Sequence, residues 1–246
     1  MSRTRKATLG ALGATLCATA LVGTAPPAPA QDDNGVADRS AADIAAQARD
    51  AFNGARSMHL TLDRQGSGLG RDDPASLDLS ADRSANCVGT VDFAAGGGSL
   101  EIIRHGDDVW VKPDTAWLQN NLPSDQSDDV RRLAGKYLQG TVQDPGLGGL
   151  AELCGIDYLS DPLENATSAG NLRKGSETTV NGTPVIEVTG RHEETDVTFS
   201  VATRGTPFPV QATSRGGGPQ QTANFTFDQP VPDRTPAAGD TVPWGG

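Results

Sequence analysis

Apolar positions along the chain recur first at helical spacing and then at strand spacing. Ser40-Ala-Ala-Asp43 resembles a helix N-cap followed by an acid at the third helical position. Ile44, Ala48, Ala51, Phe52 and Ala55 then fall on one stripe, which predicts a helix running to about Arg56, with Gly54 as its weak point near the end. Beyond it the period becomes two. Met58, Leu60 and Leu62 alternate with His59 and Thr61, and Leu77 and Leu79 with Asp78 and Ser80. Val91 and Phe93 share a face with Cys87 and Gly89, Leu100 and Ile102 are separated by Glu101, and Val109 and Val111 flank Trp110. Turn clusters at 66–74, 82–86, 96–98 and 106–108 divide these runs, so about five short strands should form an antiparallel meander.

Residues 112–162 break the pattern. Stretches at 114–122, 127–138 and 146–153 read as short helices or turns. Strand spacing returns after Ala169: segments 174–180 and 185–190 flank Asn181-Gly182, a pair that supplies the positive φ angles of a tight hairpin. Val197, Phe199 and Val201 alternate with Thr198 and Ser200, segment 208–213 follows the Arg204-Gly205 turn, and Phe225 and Phe227 close the series. Strands do not alternate with helices, which argues against a parallel sheet. The fold class is therefore α+β: a single curved antiparallel sheet of about ten strands, with an N-terminal helix and a helical insert covering its concave face. A sheet curved over a helix leaves an apolar space that can hold an apolar ligand. Leu60, Leu62, Leu77, Leu79, Val91, Phe93, Val109 and Val111 would line it, or would be the packed core of a closed sheet.

The first thirty residues have a different purpose. Arg3, Arg5 and Lys6 precede an uncharged, moderately apolar run from Ala7 to Ala25, and Ala28-Pro29-Ala30 is a small-x-small cleavage site. These are the three parts of a secretory signal peptide. The run is rich in Ala, Gly and Thr, weakly apolar for a permanent membrane anchor. Lipid attachment through Cys17 is disfavoured, because Leu16 precedes it and the apolar run continues past it to Val22. The boundaries follow: signal peptide 1–30, flexible linker 31–39, one domain 40–229, and a disordered tail 230–246 rich in Pro, Gly and Asp. The mature protein would be secreted or held in the extracytoplasmic cell envelope, as a monomer.

Charge and cysteines sharpen this picture. Removing the three basic signal residues takes the net charge from −11 to −14. So acidic a chain is repelled by nucleic acid and anionic head groups, and nucleic acid is excluded as a partner. Cys87 and Cys154 are the two cysteines beyond the signal, and an even count in an exported protein reads as one disulfide.

Enzymatic chemistry finds little support. His192-Glu-Glu-Thr-Asp196 approaches a zinc-protease helix motif but ends in Asp where the second imidazole is needed, and it lies between two predicted strands. His59, His105 and His192 are not at ligand spacing. The segment Gly66-Ser-Gly-Leu-Gly70 has no Lys and no following helix, so it is a hairpin end rather than a phosphate cradle. The acid pairs Asp72-Asp73, Asp107-Asp108 and Asp128-Asp129 lack a calcium-loop pattern and read as solvated turns. No metal, cofactor or catalytic residue is assigned. Trp110 and Trp117 remain as candidates for a ligand mouth; Trp110, opposite Val109 and Val111, needs a cover or marks a contact surface.

Several stretches resemble the actinobacterial carrier lipoproteins of the LppX and LprG type, which are similar in turn to the LolA lipoprotein carrier. They are Gly106-Asp-Asp-Val-Trp-Val-Lys-Pro113, Gly135-Lys-Tyr-Leu138, Leu150-Ala-Glu-Leu-Cys-Gly155, Lys174-Gly175, Val180-Asn-Gly-Thr-Pro184 and Val201-Ala-Thr-Arg-Gly-Thr-Pro-Phe-Pro209. Their order and spacing carry the likeness across Asp38 to Asp228. The resemblance implies a half-barrel of antiparallel strands closed by helices, and transport or presentation of lipids, glycolipids or acylated proteins at the envelope. It implies no catalytic residues. The chain departs from the family pattern in lacking a good lipobox cysteine. The alternative is a ligand-free envelope sensor or protein-interaction module, the role of some related LolA-like folds.

Overall fold

The structure, a computed structural model, describes residues 32–123, 125–156, 170–192 and 194–244. The signal segment, its cleavage site, Cys17 and Glu193 lie outside the described residues.

Helix α1 (Ala41–Gly54) starts where the cap was expected: Ser40 Oγ accepts the Asp43 N–H at 3.2 Å and donates to Asp43 Oδ2 at 2.7 Å. Such a cap stabilises a helix by about 1 kcal/mol. Ile44, Ala45, Ala48 and Phe52 form the buried stripe. The segment before α1 is not the flexible linker expected from its polarity. Asn34 Nδ2 donates to the carbonyls of Ala202 and Gly205, Val36 is fully buried, and 36–38 form a 3₁₀ turn. One side-chain amide, one buried valine and a backbone bridge between Asp33 and Arg204 dock a segment whose composition looks unstructured.

Strands β1 (Ser57–Gln65), β2 (Pro74–Asp82), β3 (Asn86–Phe93), β4 (Gly98–His105) and β5 (Asp108–Pro113) form the predicted meander. The insert carries α2 (Thr115–Asn121), α3 (Ser127–Leu133), β6 (Tyr137–Thr141) and α4 (Leu147–Glu152). Strands β7 (Gly170–Val180), β8 (Thr183–His192), β9 (Thr195–Ala202), β10 (Pro209–Arg215) and β11 (Gln220–Phe227) follow, and β12 (Thr241–Pro243) is the last. Together they make one curved, open sheet of twelve strands in the order β12-β6-β5-β4-β3-β2-β1-β11-β10-β9-β8-β7. The two meanders meet where β1 pairs with β11, with Leu60 opposite Phe225 and Met58 opposite Phe227. Asn181-Gly182 is the β7–β8 turn, both residues having positive φ, 49° and 81°. The His192 stretch is the β8–β9 hairpin and not a helix.

Two strands exceed the expected ten. β6 lies at the end of a stretch that reads as helix, and β12 lies in the tail that reads as disordered. The tail instead runs across the sheet and ends by pairing with β6, the one parallel pair among the described strands.

Period-two patterning gives the sheet two faces. The inner face packs against α1 on the β7, β8 and β10 side and against α4 on the β4–β6 side. Its core joins Leu60, Leu79, Val91, Ile102 and Phe199 to Ile44 and Phe52 of α1 and Leu147 and Ala151 of α4. A disulfide between Cys87 of β3 and Cys154, just past α4, fastens the insert to this face with a Cα–Cα distance of 5.7 Å. The outer face carries a smaller apolar cluster, Val88, Ile103 and Trp110.

Candidate functional site

The eight residues expected to line a cavity do share one face. Leu60, Leu62, Leu77, Leu79, Val91, Val109 and Val111 are all buried in the inner core, none more than 8% exposed, and Phe93 packs half-buried against it. They contact helices and one another, which is the packed-core alternative. None lines the apolar hollow found further along the same face, because α4 and the disulfide press the insert onto β3–β6 there.

That hollow has a volume of about 390 Å³ and opens between α2 and α3, where the sheet ends in β6 and β12. Its apolar walls are Trp117 and Leu118 from α2, Leu122 at that helix's C-cap, Leu133 from α3, Leu138 from β6, and Pro243 and Trp244 from β12 and the residue after it. Asn121, Gln126, Asp129 and Arg132 contribute its polar lining, with Arg132 paired to Asp129 at 3.2 Å. The volume falls in the range of small-molecule sites, about 300–1,000 Å³, and the lining, mostly apolar with a few polar groups, has their composition.

Local chemistry fixes each wall. Asp114 caps α2, its Oδ1 accepting the Trp117 N–H at 2.7 Å and its Oδ2 accepting from Ser99 Oγ at 3.1 Å. Burial pushes the Asp114 carboxyl up, but the hydrogen bonds from Trp117, Ser99 and Ala116 outweigh it and hold its pKa below the ordinary value. Gly98 at the start of β4 has φ 91°, and a Cβ there would lie 2.3 Å from the Trp117 nitrogen. Only glycine therefore lets α2 settle this close to the sheet. Trp244 is held by two donations, its backbone N–H to the Gln139 carbonyl at 2.7 Å and its indole N–H to the Pro145 carbonyl at 2.8 Å. Its ring lies over Gly146, where a Cβ would approach to 2.8 Å.

Trp117, a candidate from its sequence position, lines the hollow; Trp110 does not. Trp110 belongs to the outer cluster, 7% exposed, packed with Tyr137 and with Val231 of the tail, and edge-on to His105 at 5.6 Å. The tail supplies part of the cover that its position required. Sequence reasoning missed Leu138 and Trp244. Leu138 lies in a stretch read as helical, and the tail's composition concealed the tryptophan at its end.

A second hollow, about 420 Å³, lies beside β1, β10 and β11 beneath the β7–β8 turn. Its lining is mostly apolar, with Phe208, Val210, Phe225 and Phe227, and carries the polar groups His59, Thr61, Asn181, Arg204 and Asn224. Asn181 and Gln211 both donate to Asn224 Oδ1, so several of these amides already satisfy one another. The rings of this hollow stack on one another, Phe208 on Phe227 with centroids 4.4 Å apart and Phe225 on Phe227 at 6.2 Å.

Elsewhere the outer face carries charge. Lys112 pairs with Glu101 across β4 and β5, Tyr137 Oη donates to Glu101 Oε2 at 2.8 Å, and the ammonium sits 4.9 Å from the Tyr137 ring centroid. Burial pushes Glu101 up, but the hydrogen bonds from Lys112 and Tyr137 outweigh it, leaving its pKa below the ordinary value; Lys112 is raised, chiefly by its bond to Glu101. His59 pairs with Asp78, and His105 lies by Thr235 and Asp233, so these two are far apart in the sheet register and away from the α2–α3 hollow.

No protein-family model matches the chain, and no curated protein sequence does. Solved structures do match. LprF from Mycobacterium bovis superposes with a TM-score of 0.54 at 13% identity, over 80% of this chain and 97% of that one. The Mycobacterium tuberculosis lipoprotein LppX superposes with a TM-score of 0.50 at 16% identity, over 78% of this chain and 97% of that one. The chain thus has the fold of LprF and LppX, an open, curved antiparallel sheet closed by helices.

Proposed function

We propose that this chain, built on the fold of LppX and LprF, is an exported envelope protein that binds and carries a lipid-like, acylated ligand by its apolar part. One observation carries the reading: a hollow of about 390 Å³ walled by Trp117, Leu118, Leu122, Leu133, Leu138 and Trp244. Burying hydrocarbon there gains about 25 cal/mol per Å², less the cost of ordering the ligand. The polar residues at the hollow suit a head group left near water. The eight inner-face residues are core rather than lining in this reading. The role is binding, in keeping with a hollow whose lining is mostly hydrocarbon. The secretory leader in the sequence supports an extracytoplasmic location.

The test is retention and uptake. Native mass spectrometry and organic extraction of the secreted protein should reveal co-purified lipid, and a fluorescent fatty acid should bind and be displaced by unlabelled acid. Leu133→Asp, at a half-buried position on α3, should weaken uptake while leaving the circular dichroism spectrum unchanged. Absence of both bound lipid and uptake would reject the carrier reading.

A further inference from the structure

The segment after β11 does more than finish the sheet. It leaves Phe227, lays Val231 on the outer cluster, passes His105, where Thr235 Oγ1 approaches Nδ1 at 3.1 Å, and reaches Lys136, whose ammonium donates to the Gly239 carbonyl at 2.9 Å. It then pairs as β12 with β6 and turns the Trp244 ring into the α2–α3 hollow. Both N–H groups of Trp244 are satisfied by carbonyls of β6 and of the loop before α4, so its apolar ring can face a ligand at no polar cost.

We propose that residues 229–244 form a strap and that Trp244 is a ligand-contacting wall of the hollow, so that seating of the strap and occupancy of the hollow reinforce each other. This rests on the carrier reading above. The strap's grip is light: most of 232–240 is exposed, and β12 is only three residues long. Segments held by few buried contacts open at low free-energy cost. A ligand packed against the indole adds contact area available only when the strap is seated, and so shifts that equilibrium toward the seated form. Coupling is reciprocal, so unseating the strap must weaken the ligand by the same factor that the ligand steadies the strap.

Tryptophan quenching by a dibrominated eighteen-carbon fatty acid separates the contacts. In the full chain carrying Trp117→Phe, emission comes from Trp110 on the outer face and from Trp244. In Trp117→Phe/Trp244→Phe it comes from Trp110 alone. The acid should quench the first protein and spare the second. Trp244→Ala should weaken binding of a fluorescent fatty acid about tenfold, and amide exchange over 241–244 should slow when the acid is added. A chain ending at Gln229 should bind as weakly as Trp244→Ala; should that chain fail to fold, the point variant decides. Tight fatty-acid binding with Trp244 unquenched and Trp244→Ala unaffected would overturn the strap and leave the carrier intact. No binding of either acid by the unmodified chain would overturn both.

Discussion

At the scale of single residues, positions far from the hollow in function decide its shape. Gly98 is the sharpest case. A methyl group there meets the backbone nitrogen of Trp117 and the Asp114 carboxylate, and the positive φ adds strain to the steric clash. Gly98→Ala should cost about 1–3 kcal/mol in urea unfolding and, by displacing α2, should lower fatty-acid uptake; an unchanged midpoint would show that α2 adjusts freely. Glu101 gives a pH signature. Its folded pKa lies below 4.5, the ordinary value, so its pairing contributes stability that is fully present above that value and is lost as pH falls through the lowered one. The group is partly exposed, so Glu101→Gln should cost under about 1 kcal/mol at neutral pH. The difference from the unmodified protein should close as pH falls through that lowered pKa. A difference that persists in acid would assign the loss to packing with Tyr137 instead.

Elements differ in how plainly the sequence announces them. The long strands were legible because each has one buried and one solvated face: Leu77 and Leu79 against Asp78, or Val197, Phe199 and Val201 against Thr198. α1 was legible from Ser40, Asp43 and its stripe, and the β7–β8 turn from Asn181-Gly182. β6 was not, because Tyr137, Leu138 and Gln139 are too few to set a period and follow a helical stretch. β12 was not, because its pairing is parallel and its partner lies about a hundred residues upstream, so no local signal exists. The hollow was half legible for the same reason: Trp117 stands in a recognisable segment, but Leu138 and Trp244 reach the site through those two hidden strands. The eight alternating residues report a buried face, and a buried face reads alike whether it adjoins a ligand or a helix. The disulfide followed from cysteine count and compartment. It links residues 67 apart, and loop-closure entropy alone makes such a link worth up to about 4 kcal/mol. Cys87→Ser/Cys154→Ser should lower the urea midpoint accordingly and should first raise amide exchange in α4, which the bridge fastens to β3. Equal exchange in α4 with and without the bridge would mean that packing of Leu147 and Ala151 alone holds the insert.

On the scale of the whole molecule, an open sheet has edges and two faces to protect, and this one uses a single segment for both tasks on one side. The outer patch of Val88, Ile103 and Trp110 is 1–7% exposed with Val231 and Tyr137 in place. The free side of β6 is taken by β12. A covered apolar patch and a paired edge are both sites of self-association once uncovered. A chain ending at Gln229 should therefore sediment as a larger species than the full chain at the same micromolar concentration, and should bind more of an apolar dye. Two contributions can be told apart by further substitution in the shortened chain. Ile103→Thr reduces the apolar patch and leaves the β6 edge free, so it restores the monomer only if the patch drives association. A proline at Gln139, an edge position paired with Pro243, blocks pairing at β6 and leaves the patch, so it restores the monomer only if the edge does. A shortened chain that sediments like the full one and binds no more dye would show that the rest of the molecule already covers the patch, and that the strap is needed only at the hollow.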